Sequence, residues 1–187
     1  MFQYYVVNYI VVLICIIFAS NLFKMNDDFI KELSYKALDS RLKRISDRMA
    51  HDIRKLYKEL NIDVEPNWYL LFMLLQKKEK CSISCIAEHL GYAHPSVVII
   101  VKKMSHKGYL KTKQDQSDKR KMVISLSEKS KRLIPKLEVI WDSCEKAILD
   151  VLDKDLGIIS YLDNIDLKLA ETSFHYRFKH EYLKSIK

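Results

Sequence analysis

The chain has 187 residues, a formal net charge of +8 and a sequence pI near 9.2. Its 49% hydrophobic and 30% charged residues suffice for a buried core and exclude global disorder, and the length fits one domain better than two. Only three glycines and three prolines occur, which excludes collagen-like chains and any glycine-rich phosphate loop, and disfavours all-β folds with many tight turns.

Residues 2–23 carry no charge, and Gln3, Asn8, Ser20 and Asn21 are their strongly polar members. A bilayer span needs about 20 apolar residues, so this stretch is long enough to cross one. Lys24 follows, which by the positive-inside rule would leave the remainder in the cytoplasm. Met25 is followed by Asn26, Asp27 and Asp28, residues suited to a helix cap and first turn. Three readings stay open for residues 1–24: an over-extended gene start, a membrane anchor, or an extra helix. A membrane is a partner only under the second, and all three put the working part, residues 25–187, in the cytoplasm.

From Phe29 and Ile30 through Leu33, Leu38, Leu42, Ile45, Met49, Ile53, Leu56 and Tyr57 to Leu60, apolar positions follow a 3.6-residue period, predicting one helix over residues 27–60. A stripe sustained for about nine turns exceeds what a small domain can cover, and a second copy of the chain is the natural cover. Pro66 precedes a second helix over residues 67–77, with Trp68, Leu71, Phe72 and Leu75 on its apolar side, and residues 77–80 read as a solvated turn. Ser82 caps a short helix over residues 83–90 that Gly91 ends. His94 is expected to be extended because Pro95 follows, with Pro95 and Ser96 opening a helix that ends at Gly108. Two short helices joined by a turn containing glycine make a helix-turn-helix.

Beyond Gly108 the period drops to 2. Tyr109, Lys111 and Lys113 alternate with Leu110 and Thr112; Met122, Ile124 and Leu126 alternate with Val123 and Ser125; the polar stretch 114–121 lies between. This is a β-hairpin with a charged tip, a wing beside the helix-turn-helix. Ser127 and Glu128 open a helix carrying Leu133, Leu137, Ile140, Trp141, Cys144 and Ile148, with Pro135 either kinking it or lying near its first turns. After a break over residues 153–157, a last helix is expected over residues 158–178. The fold class is therefore mainly α with a small β-hairpin wing: a winged helix-turn-helix core over residues 66–126, with long dimerisation helices over 27–60 and 128–180.

Residues 102–121 hold eight lysines and arginines against two aspartates, a net +6 of the chain's +8. A charge run is usually a solvated face; this one coincides with elements that fit a duplex. A helix enters the major groove, where bases are distinguishable, and a basic hairpin reaches the minor groove. Candidate DNA-binding residues are His94, Ser96, Val98, Ile99, Lys102 and Lys103 on the helix, and Lys111, Lys113, Asp118, Lys119, Arg120 and Lys121 on the wing.

The stretch "LGYAHPSVVIIVKKMSHKGYLKTKQDQSDKRKMVISLSEKSKRL", residues 90–133, resembles the MarR family of bacterial winged helix-turn-helix transcriptional regulators. Asp118-Lys119-Arg120 is similar to the family's Asp-x-Arg wing signature, and "ISLSEKSKRL" to its strand-to-helix junction, with Ser130 in place of the usual glycine. The resemblance implies a homodimer joined through its first and last helices and reading a pseudo-palindromic operator, with Arg120 in the minor groove and Asp118 orienting it. It also implies a small anionic effector in many members. Tyr57, Trp68 and Phe72 are the candidate effector-binding residues, with core packing as the alternative reading. Val98 and Ile99 stand where the family often has Thr-Arg; they cannot make bidentate base contacts, though either can touch a thymine methyl.

No His-Glu-x-x-His, Gly-x-Ser-x-Gly or paired-carboxylate motif occurs, so no catalytic residue, metal ligand or cofactor is expected. Cys15, Cys81, Cys85 and Cys144 are too scattered for a disulfide framework. The Cys81 and Cys85 pair lacks the spacing of a redox or zinc motif and is expected to be ordinary small residues in a reducing compartment, with a thiol sensor or metal ligand as the alternative reading.

Overall fold

The computed structural model describes residues 28–114 and 122–186. The apolar stretch 2–23 and the wing tip lie outside the described residues. The chain divides after Leu74 into two compact units.

Among the described residues the first unit starts with a short helix α1 (Phe29–Glu32), capped by Asp28, whose side chain accepts from the Lys31 N–H. A 3-10 turn over Ser34–Ala37 leads into α2 (Leu38–Glu59). The single helix expected over 27–60 is thus broken: Ser34 adopts a left-handed φ of 53°, which no α-helix accommodates. Asp28, at the start of α1, reaches Arg44 on α2 at 2.7 Å and folds the short helix back along the long one. Tyr57 is buried, whereas Leu42, Ile45, Met49 and Leu56 on the same helix remain 38–47% exposed. A 3-10 turn over Pro66–Trp68 starts the next helix, α3 (Tyr69–Lys78), a few residues later than the sequence suggests. Ile62, Val64, Trp68, Leu71 and Phe72 are buried.

The second unit carries the winged helix-turn-helix. The solvated turn expected over residues 77–80 is narrower: α3 runs to Lys78, Glu79 turns the chain at φ 59°, and strand β1 (Lys80–Ser82) begins at once. Ser82 then caps α4 (Ile83–Leu90) by accepting the Cys85 N–H at 3.1 Å, and Gly91 ends that helix at φ 63°, the left-handed position in which glycine needs no compensation. Helix α5 (His94–His106) begins one residue before Pro95, so His94 is helical rather than extended. The local preference of a pre-proline residue yields to the phase set by Val97, Val101 and Met104, whose buried stripe orients the whole helix, and proline costs no hydrogen bond in a first turn.

Strands β2 (Leu110–Gln114) and β3 (Met122–Leu126) form the hairpin, and β3 lies between β1 and β2 in a three-stranded antiparallel sheet. Cys81 pairs with Ile124, and Ile124 pairs in turn with Thr112. Ile86 of α4, Met104 of α5 and Ile124 of β3 are almost fully buried and form the centre of this unit. The Cys81 and Cys85 sulfurs are bonded to each other, correcting the expectation of two ordinary small residues. The β1 strand brings Cys81 within reach of the first turn of α4, a proximity that spacing alone did not indicate.

Ser127 caps α6 (Glu128–Val151), whose interior contains Pro135. Its Ser130, Ile134 and Leu137 are buried. The Ser130 hydroxyl donates to the Tyr109 carbonyl and the Ser127 hydroxyl to the Gly108 carbonyl, so these serines tie the helix start to the end of the recognition region. Ser130, which stands where the family usually has glycine, is thus a specific anchor. Two helices follow, α7 (Gly157–Glu171) and α8 (Phe174–Ser185), in place of the single one expected over 158–178. Ser173 caps the second by accepting the Tyr176 N–H, and Arg177 donates to the Lys168 carbonyl at 2.6 Å, satisfying the end of the first. Neither α7 nor α8 contains a buried residue. No helix among the described residues is long and apolar enough to cross a membrane.

Candidate nucleic-acid interface

Helix α5 has two unlike faces. Val97, Val101 and Met104, at spacings of four and three, turn inward and hold the helix against α4 and β2. The packing leaves His94, Ser96, Val98, Ile99, Lys102 and Lys103 exposed, so every candidate on this helix lies on its outward surface. His94 and Pro95 occupy the first turn, and the Ser96 and Val97 N–H groups donate to the Ala93 carbonyl. Ile99 is 56% exposed, an unusual place for an isoleucine and one suited to an apolar contact with a thymine methyl.

The hairpin adds the second basic surface. Lys111 and Lys113 are two residues apart on β2, on the same face of the strand, and both are exposed. Asp118, Lys119, Arg120 and Lys121 belong to the wing tip and lie outside the described residues. Lys111 is not an unencumbered cation: its Nζ lies 3.3 Å from Glu128 Oε1, and Lys131 meets the same oxygen at 3.2 Å. Hydrogen bonds from Lys131 and then Lys111 hold the Glu128 carboxyl below its usual range, so it stays ionised well into mild acid. Lys129 stacks its ammonium 4.1 Å from the Tyr109 ring centroid and donates to the Lys107 carbonyl at 2.7 Å, which fixes the junction between α5 and β2.

Glu128 was legible in the sequence only as a first-turn acid of α6. Its effect on the basic surface requires the chain to return beside β2 after 17 residues, which no local signal announces.

Tyr57, Trp68 and Phe72 are all buried in the first unit. An open groove of about 610 Å³ on that unit has other walls: Ile30 of α1 with Ser40, Lys43, Arg44, Asp47, Arg48, His51 and Asp52 of α2. Its cations are partly satisfied, Lys43 by Asp47 at 2.8 Å and Arg44 by Asp28. No group of three or more His, Cys, Asp or Glu residues among the described residues is placed to hold a metal ion.

The sequence profile of the MarR family matches residues 62–121, ending just before β3. No curated protein sequence is significantly similar to the chain. Among solved structures, the transcriptional repressor CouR bound to a 23-mer DNA duplex aligns over 72% of this chain and 95% of its own, with a TM-score of 0.59 and 20% identity. MepR of S. aureus, in its complex with DNA, covers 72% of this chain and 96% of its own at a TM-score of 0.58 and 17% identity. PcaV of Streptomyces coelicolor, in complex with its natural ligand, covers 75% and 94% at 0.57 and 14%. The chain has the winged helix-turn-helix fold of these proteins.

Proposed function

We propose that the protein is a sequence-specific DNA-binding transcriptional regulator that acts as a homodimer, with α5 in the major groove and the basic wing in the minor groove. The observation that carries this reading is the two-faced α5, anchored by Val97, Val101 and Met104 and presenting His94, Ser96, Val98, Ile99, Lys102 and Lys103 outward beside Lys111 and Lys113. Phosphate neutralisation by the lysines supplies affinity through counterion release, and the outward residues of α5 supply what base discrimination there is. Val98 and Ile99 read thymine methyls, while His94 and Ser96 at the helix start supply hydrogen bonds. Asp118, Lys119, Arg120 and Lys121 form the minor-groove contact, with Arg120 inserted and Asp118 aiming its guanidinium. The family match over residues 62–121 and the DNA complexes of CouR and MepR support the reading.

The exposed apolar stripe of α2 and the uncovered helices α7 and α8 support dimerisation through the ends of the chain. In this organisation residues 66–126 are the DNA-binding core, and 27–60 with 128–180 the dimerisation helices. An effector acting through Tyr57, Trp68 and Phe72 requires these buried side chains to part, which would couple the ligand to the position of α3. The protein works on cytoplasmic DNA and is not an enzyme.

The test is fluorescence anisotropy with duplexes from the DNA flanking the gene, at several salt concentrations. An inverted repeat bound at least about a thousandfold more tightly than random duplex supports the reading. Arg120→Ala is expected to weaken binding by about 1–3 kcal/mol. Equal affinity for all duplexes, or no salt dependence, overturns it.

A further inference from the structure

The outward face of α5 has an apolar centre. Ile99 stands two residues after Val97 and two before Val101, and at about 100° per residue that places it on the side of the helix opposite their buried stripe. Ile99 is more than half exposed, and Val98 beside it is exposed at the edge of the same face. One turn back along the helix lie Pro95 and Ser96, and one turn on lie Lys102 and Lys103, all four exposed. The interior of the unit gains nothing from Ile99, because Val97, Val101 and Met104 already close it. Residues 93–113 hold five lysines and no carboxylate. An apolar spot among cations, with no acid on the same stretch, matches a duplex: lysines on the rim meet phosphates, and the centre meets the floor of the major groove. That floor offers an apolar group in one form, the C5-methyl of thymine.

Isoleucine and valine carry no hydrogen-bonding group in their side chains. They cannot sense the O4 acceptor of thymine or the N4 amino donor of cytosine, the atoms by which the two pyrimidines otherwise differ in this groove. What they sense is the methyl, and 5-methylcytosine carries one on the same ring carbon. We infer that α5 reads a 5-methylpyrimidine and not thymine as such: through Ile99, with Val98 beside it, the protein accepts 5-methylcytosine where it accepts thymine, and discriminates against unmethylated cytosine and uracil. An asparagine or glutamine at this position would pin the adenine of the T·A pair and so reject methylcytosine·guanine; isoleucine imposes no such restriction. Methylation of a cytosine facing Ile99 then raises occupancy with no change of sequence, and the methylation state of the DNA becomes an input to the regulator. The inference rests on the DNA-binding reading and adds to it the chemical class of base that is recognised.

The test uses the full chain and fluorescein-labelled duplexes from the DNA flanking the gene. In the duplex bound most tightly, uracil replaces thymine one position at a time, which removes a methyl and leaves every hydrogen-bonding group in place. Losing one methyl from contact with an aliphatic side chain should weaken binding about fourfold, and about fifteenfold where both halves of an inverted repeat lose it. At the responding position the pair is next exchanged for cytosine·guanine and for 5-methylcytosine·guanine, and the methylated duplex should bind about fourfold more tightly than the unmethylated one. Both methyl effects should vanish in Ile99→Ser, while the lysine-dependent salt slope stays as it was. Thermal midpoints check the fold of that variant, and Ile99→Ala, the better helix former, replaces it if serine disturbs the helix. Equal affinity for thymine and uracil at every position, equal affinity for cytosine and 5-methylcytosine at the responding one, or methyl effects undiminished in the Ile99 variant would each overturn the inference and leave the proposed function standing. Failure of the unsubstituted chain to bind any duplex would overturn both.

Discussion

Replacing Glu128 with glutamine is expected to tighten DNA binding through Lys111. In the folded chain the Lys111 ammonium lies 3.3 Å from Glu128 Oε1, and Lys131 shares that oxygen at 3.2 Å. The carboxyl is held below its usual range by these two lysines, so at neutral pH it is fully charged and competes with phosphate for Lys111. Glutamine keeps the shape and removes the competitor. Each cation that fully neutralises a phosphate contributes about 0.9 to the slope of log affinity against log salt. Releasing Lys111 should therefore steepen the slope by up to about 0.9, which over a fourfold salt range of roughly 50 to 200 mM multiplies the affinity ratio by about 3.5. Anisotropy titrations at four salt concentrations measure it, with thermal midpoints as a check on folding. Lys111→Ala should cost more slope in the Glu128→Gln background than in the unsubstituted chain, because only there is Lys111 free to bind phosphate. Equal slopes for the chain and its Glu128→Gln variant, or equal effects of Lys111→Ala in both backgrounds, would refute the competition.

The α2 stripe yields a prediction on assembly: covering the exposed two-fifths of Leu42 and nearly half of Ile45 is worth about 1 kcal/mol each. Counted on both copies, the Leu42→Ala, Ile45→Ala double variant should loosen a dimer by about 4 kcal/mol, roughly a thousandfold in Kd, as read by sedimentation equilibrium. A folded monomer at micromolar concentration in the unsubstituted chain would remove the dimer altogether. Leu137 is fully buried at the base of α6, and Leu137→Ala should cost about 2–5 kcal/mol in denaturant unfolding; a cost below about 1 kcal/mol would show that the site collapses around the loss. The Arg44 hydrogen bond lowers the Asp28 pKa from its usual 3.8, so the pair's contribution is present above that value and fades as pH falls through the lower folded one. Asp28→Asn should accordingly depress the thermal midpoint at pH 7 and converge with the unsubstituted chain in strong acid; a difference independent of pH would assign the effect to packing instead.

The sequence alone determined what is settled within a few residues along the chain. Ser82, Gly91, Gly108 and Ser127 each end or begin an element because a hydroxyl meets an N–H three residues on, or because glycine takes a left-handed turn, and these signals are local. The change of period at Gly108 similarly marked the hairpin, whereas which side of α5 faces outward was settled by the burial of Val97, Val101 and Met104. The helix breaks were less legible. Ser34 and Ser173 interrupt stripes whose apolar spacing runs on across them, so periodicity read two helices as one in both places. Only the tertiary structure decided the rest, because it depends on partners distant in sequence. Strand β1 is three residues long and exists by pairing with β3 more than 40 residues later, while its own residues carry no strand period and its first, Lys80, reads as the end of a polar turn. That pairing carries Cys81 to Cys85 across the start of α4, and the return of α6 beside the hairpin sets Glu128 against Lys111. Contacts of this kind form when loop closure is repaid by burial of the shared core around Ile86, Met104 and Ile124, a balance that no window of the sequence contains.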